Sequence, residues 1–225
     1  MSLIDDFQFV FLEGNRWKFI LNGLWVTLGV SIASIVIGTA LGLLLAVMRM
    51  SEIRHHKKTA ASVMAGVYID LIRGTPSLLQ LLIMYFVVFS SHMGLVASSL
   101  SFGMNSGAYV AEIIRAGIMA VDKGQMEAGS SLGLSYKKTM RYIIIPQAIK
   151  NIFPALGNEF IALIKETSIL GYIAIFDLTK AASYITSRTY RMFLPLIGCA
   201  LIYYLMIKGL SILFVKLEKR MRKND

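Results

Sequence analysis

An all-α integral membrane protein is the fold class this sequence predicts, on three observations. Hydrophobic residues make up 56% of the 225 residues and charged ones only 16%, where soluble domains carry about a quarter charged. Apolar runs long enough to cross a bilayer alternate with short polar stretches. The bases gather in every second polar stretch, as the positive-inside rule requires of a chain that crosses repeatedly.

Taken in order, residues 1–18 mix acids and bases (Asp5, Asp6, Glu13, Arg16, Lys18) and lack the layout and cleavage site of a secretory signal. A short external amphipathic lead-in is expected there. Residues 19–48 carry no charge; as a helix they extend about 45 Å, enough for a hydrocarbon core of about 30 Å with overhang. Arg49, Arg54, Lys57 and Lys58 follow in a loop with His55 and His56, whose surroundings fit a solvated turn better than a metal site. Residues 59–89 are apolar apart from Asp70 and Arg73, and Gly74-Thr75-Pro76 should bend them into one long kinked span. The stretch 90–101 has no Asp, Glu, Lys or Arg and is expected as an external loop. A third span, 104–121, leads into the polar stretch 122–150, and a fourth, 152–176, carries Glu159, Lys165 and Glu166. A polar outer loop with Asp177, Lys180, Arg188 and Arg191 precedes the fifth, 193–215, and the chain closes on KLEKRMRKND.

This layout collects fourteen bases on one side of the membrane and five on the other. The N-terminus is therefore expected outside and the C-terminus in the cytoplasm, a parity that five crossings satisfy. The net charge of +10 becomes a matter of orientation, not of nucleic-acid binding. One cysteine, Cys199, excludes an intrachain disulfide, and no Cys or His spacing points to a metal. Without an internal repeat or a soluble segment, residues 1–225 are expected to form a single transmembrane domain.

Charges at membrane depth need a partner or a task. Asp70 and Arg73 are three apart, as are Glu112 and Arg115, so each acid is expected to meet a base on its own helix face. Glu159 and Glu166 differ: seven apart, they share a face on which Ala162 and Leu163 offer no base. Two like carboxylates on one face favour a cationic ligand such as a guanidinium or ammonium. An arginine from another helix, or a position at the water boundary, would serve them equally.

The polar stretch describes two short helices with a corner between them. Asp122 and Gln125 have the spacing of a capping box, Gly133 is placed to end the first helix in a left-handed conformation, and Ser135 to cap a second that stops at Pro146. Lys137, Lys138 and Arg141 mark its polar side. Glu127, Ala128, Gly129, Gly133, Ile143 and Pro146 resemble the cytoplasmic loop of permease subunits of ATP-binding-cassette importers, of the form EAA, three residues, G, nine residues, I, one residue, LP. Gly129 stands where a second Ala is usual, and Ile145 where Leu is usual. Three further stretches, Arg73-Gly74-Thr75-Pro76, the run from Gly107 to Glu112, and Gly157-Asn158-Glu159-Phe160 followed by Lys165-Glu166-Thr167-Ser168, are similar to the polar amino-acid branch of that family (histidine, arginine, lysine and glutamine permeases).

The resemblance implies the five-helix core of the type I importer permease fold in a bacterial inner membrane. It also implies work in a pair with an identical or different permease subunit, two copies of a cytoplasmic ATPase, and an extracytoplasmic amino-acid-binding protein. In members that carry basic amino acids the positions of Glu159 and Glu166 face substrate, and Asn105 matches a contributing asparagine; an Asp is usual where Glu166 stands. Relatives carry glutamine and other polar amino acids. No G-x-x-x-x-G-K-[ST] occurs, so the chain is expected to hold no ATP or Mg²⁺ itself and to be no enzyme. An ion-coupled secondary transporter, usually built from two related halves, fits less well, and a membrane scaffold leaves the paired acids without a task.

Overall fold

The computed structural model describes residues 3–55 and 58–222, with no side chains for 51–55. His56, Lys57 and Lys223, and the side chains of Arg54, His55 and Arg222, therefore lie outside the described residues. All regular structure among the described residues is helical: α1 (Leu3–Phe7), α2 (Trp17–His55), α3 (Ala60–Arg73), α4 (Ser77–Ile83), α5 (Gly94–Met119), α6 (Lys123–Ser131), α7 (Tyr136–Thr139), α8 (Ile145–Glu166), α9 (Leu178–Thr189) and α10 (Phe193–Arg222), with short π and 3₁₀ turns between some of them. The spans Trp17–Met50 and Phe193–Met221 are long and apolar enough to cross a membrane, with mean hydropathies of 2.4 and 2.0. Helices α5 and α8, of 26 and 22 residues, have the length of a span; α5 carries Glu112 and Arg115, and α8 carries Glu159, Lys165 and Glu166.

Several boundaries differ from expectation. The external loop 90–101 shrinks to a turn in which Ser90, Ser91 and Met93 take left-handed conformations, and α5 starts at Gly94; an apolar stretch free of breakers continues a helix once the chain has reversed. The second span is two helices separated by Gly74-Thr75-Pro76, because Pro76 donates no hydrogen bond and takes the extended conformation of an N-cap. The outer loop after residue 176 is mostly helix α9, whose N-cap Asp177 is fully buried and accepts the Thr179 and Lys180 N–H groups at 3.1 and 2.9 Å. Helical structure also runs through Pro146 in place of stopping there. The π turn at Met140–Ile144 gives the Ile145 N–H to the Met140 carbonyl, and Pro146 falls in the first turn of α8, where a missing N–H costs little.

The chain divides into two compact units. The first comprises residues 1–36, 76–102 and 161–210. Its core gathers Val10, Ile20, Leu178, Ala181, Ala182, Ile185 and Cys199, with a second cluster of Val30, Leu81, Phe102, Leu170 and Ile173. Thr27, fully buried, accepts the Leu178 N–H on its Oγ1 at 3.2 Å.

The second unit comprises residues 37–75, 103–160 and 211–225. Here α2 and α5 meet through small residues: a Cβ on Gly42 would lie 2.5 Å from Val110 Cγ1, and one on Gly38 2.9 Å from Ser106 Cβ. Gly38 and Gly42, like Gly103 and Gly107, are spaced G-x-x-x-G, a pattern that lets two helix backbones approach closely in a membrane. Leu45, Ala65, Ile69, Ile72, Ala108 and Ala111 pack α2, α3 and α5 into one cluster. Val121, Met140, Ile144, Ala148 and Ile152 form another that fastens the 122–150 stretch to α5 and α8.

Candidate functional site

The 122–150 stretch forms the expected helical corner. Asp122 caps α6, accepting the Gly124 N–H on Oδ1 at 2.7 Å. The capping box does not close, because Gln125 directs its side-chain oxygen to the Gln147 amide at 3.3 Å. At the other end Gly133 has φ +75°, the Gly133 N–H reaches the Ser130 carbonyl at 3.0 Å, and the Leu134 N–H reaches the Gly129 carbonyl at 3.1 Å. That bond pair is the Schellman arrangement, in which a left-handed residue satisfies carbonyls at a helix end. Ser135 caps α7 through its backbone only, its carbonyl receiving the Thr139 N–H at 2.9 Å.

The site residues of this stretch separate by exposure. Glu127, Ala128, Gly133 and Pro146 are exposed, beside Leu132, which shows 78% of its surface to solvent. Ile143 is half-buried against the cluster around Met140 and Ile144. Gly129 is buried, and a Cβ there would stand 2.5 Å from Thr139 Cγ2. The substitution of Gly for the usual Ala thus has a physical reason: the branched Thr139 on α7 occupies the space a methyl would need. Gly129→Ala should lower the melting temperature of the purified protein and expose the corner to limited proteolysis, at a cost of about 1–3 kcal/mol for overpacking. Gly129→Ala with Thr139→Ala should restore much of the loss; a single substitution that melts like the unchanged protein would contradict this account.

Of the residues expected at substrate, Asn105 is buried on α5, and Glu159 and Glu166 are half-buried on α8. Asn105 and Glu159 belong to the second unit and Glu166 to the first, at the last turn of α8 before a 3₁₀ segment, Thr167–Ile173.

The two acid–base pairs expected on single helices part company. Glu112 accepts the Arg115 Nε and Nη2 at 3.2 and 2.9 Å, as its spacing foretold, and also the Arg49 Nη1 of α2 at 2.5 Å. Asp70 and Arg73 form no ion pair among the described residues; both are exposed, and the Arg73 guanidinium lies 5.1 Å from the centroid of the Tyr109 ring. Sequence spacing gave no sign of Arg49 or of Tyr109, since each comes from another helix. The G-x-x-x-G spacing of Gly38 and Gly42 could have indicated that α2 and α5 meet.

Comparison with known proteins extends this picture over nearly the whole chain. The family described as "Binding-protein-dependent transport system inner membrane component" matches residues 38–223. A putative glutamine transport system permease protein, GlnP, of Rickettsia bellii (strain RML369-C) is 39% identical over 219 residues, covering 96% of this chain and 98% of that protein. The arginine transport system permease protein ArtQ of Bacillus subtilis (strain 168) is 40% identical over 212 residues, with 92% and 94% covered. Among solved structures, a chain of an amino acid ABC transporter crystallised with histidines superposes with a TM-score of 0.84 at 45% identity, covering 93% of this chain and 98% of that one.

Proposed function

The chain belongs to the family of binding-protein-dependent transport system inner membrane components, and from that premise we propose that it imports a cationic amino acid by alternating access. It is a permease subunit of an ATP-binding-cassette importer of polar amino acids and not itself an enzyme. In this reading five crossings set the N-terminus outside and the C-terminus in the cytoplasm, in a bacterial inner membrane. The observation that carries the cationic substrate is the pair Glu159 and Glu166, two carboxylates seven residues apart on α8 with no base between them on that face. A guanidinium or ammonium offsets their repulsion, and Asn105 adds a polar contact. The relatives include an arginine permease at 40% identity beside glutamine permeases at 39–41%.

ATP is bound by two copies of a partner ATPase. The exposed side of the α6–α7 corner, with Glu127, Ala128 and Leu132, docks on that ATPase. Closure of the ATPase pair then turns the membrane helices between outward and inward access. A second permease subunit completes the pathway, and an extracytoplasmic binding protein delivers substrate.

The test is ATPase activity of the purified complex in lipid with its binding protein, across arginine, lysine, histidine, glutamine and cystine. Stimulation by the cationic three alone is expected. Stimulation by glutamine, which the Rickettsia relative's name makes the second reading, or by cystine, would return Glu159 and Glu166 to a structural role. Absence of a co-purifying ATPase would favour an ion-coupled carrier.

A further inference from the structure

Helix α5 presents Asn105, Tyr109 and Glu112 at i, i+4 and i+7, the spacing of one helix face. The Arg73 guanidinium sits over the middle residue, 5.1 Å from the Tyr109 ring centroid, a cation–π seat that fixes where the positive charge stands. Arg73 is the last residue of α3, so the side chain projects at a helix end, beside the break at Gly74-Thr75-Pro76. All these residues lie in the second unit.

The charges at this level do not balance. Glu112, one turn from Tyr109, is already held by Arg49 at 2.5 Å and Arg115 at 2.9 Å. Asp70 is exposed and makes no ion pair among the described residues. Three guanidinium groups therefore gather about one carboxylate, and Arg73, the one of the three that does not touch Glu112, forms no ion pair among the described residues. A guanidinium within a membrane segment is costly and by default marks a functional site. Its planar donor edge fits a carboxylate with two parallel hydrogen bonds, while an aromatic ring can support its flat face.

We propose that Arg73, seated on Tyr109, receives the α-carboxylate of the transported amino acid. The inference rests on the amino-acid-importer reading given above and concerns the α-carboxylate end of the substrate. Every amino acid presents that carboxylate whatever its side chain, so one arginine serves cationic and neutral substrates alike. Asn105, one turn from Tyr109 on the opposite side from Glu112, extends the same face toward the polar part of the substrate.

The experiment is equilibrium binding to the purified permease–ATPase complex in nanodiscs without the binding protein, by titration calorimetry. The ligands are L-arginine and L-glutamine, each beside the amide in which the α-carboxylate is a neutral carboxamide. The wild-type complex should bind its acid ligand roughly tenfold or more tighter than the amide, as a charge-assisted pair requires. Arg73→Gln should remove that preference by weakening the acid alone, and Arg73→Lys should retain part of it. Equal weakening of acid and amide, or an unchanged preference, overturns the role of Arg73. Should Arg73→Gln fail to assemble, the Arg73→Lys preference decides: a several-fold decrease supports the role, and the wild-type ratio overturns it. A wild-type complex that binds neither amino acid overturns this inference and leaves the family assignment standing.

Discussion

Gly133→Pro should leave membrane insertion and subunit assembly intact while abolishing transport in proteoliposomes and removing the dependence of ATP hydrolysis on substrate. Gly133 has φ +75°, whereas proline is fixed near −65° and lacks the N–H that reaches the Ser130 carbonyl at 3.0 Å. The Schellman bonds cannot form, and the corner between α6 and α7 loses its shape at a cost of about 3 kcal/mol or more. Gly133→Ala is the graded control. A Cβ at that position meets nothing within 4 Å, so its cost is only the left-handed conformation itself, about 1–2 kcal/mol. Transport that survives Gly133→Pro at the wild-type rate would deny the corner any part in coupling.

Glu112→Gln should be the most destabilising single change among the charged residues, by about 3 kcal/mol, the lower end of the range for breaking a buried ion pair. The lower end applies because the three side chains retain 19–31% of their exposure. The variant leaves two half-buried guanidinium groups, Arg49 and Arg115, facing an amide in place of their shared carboxylate. Arg49→Gln should cost less, since Arg115 still neutralises Glu112 from its own helix. Thermal melting of the two single variants and the double variant Arg49→Gln/Glu112→Gln measures the link between α2 and α5. The pair should fall short of additivity by about 1 kcal/mol or more. Strict additivity, or a Glu112→Gln variant within about 0.5 kcal/mol of the wild type, would mean that the network contributes little.

The two acid–base pairs show how far local reasoning reaches. Asp70 with Arg73, and Glu112 with Arg115, have the same spacing and similar apolar surroundings, and on sequence alone they merit the same expectation. Only the second pair forms. Arg73 stands at the end of α3, where it meets the ring of Tyr109 thirty-six residues on. Spacing along one helix limits which residues can meet; it does not rank them against partners that another helix brings in. Pro146 teaches a related lesson, since a proline ends a helix only where its missing N–H is needed, and the π turn before it removes that need. The helix that begins at Gly94 was hidden for a different reason: a charge-based reading of 90–101 marks what is not cytoplasmic, and says nothing about whether the segment is coiled.

From the sequence alone came the helical membrane class, the 122–150 corner with Asp122 and Gly133 in their places, and the family. Each depends on short-range rules: the length of an apolar run, the hydrogen bonds of a helix end, and the spacing of a motif. Tertiary structure alone decided the rest. It gave Gly129 its reason in Thr139, bound Arg49 to Glu112, and seated Arg73 on Tyr109. These contacts join residues ten to sixty-three positions apart in sequence, and their formation depends on how closely helix backbones approach, which is set by the packing of small residues such as Gly38 and Gly42 and not by the residues that finally touch.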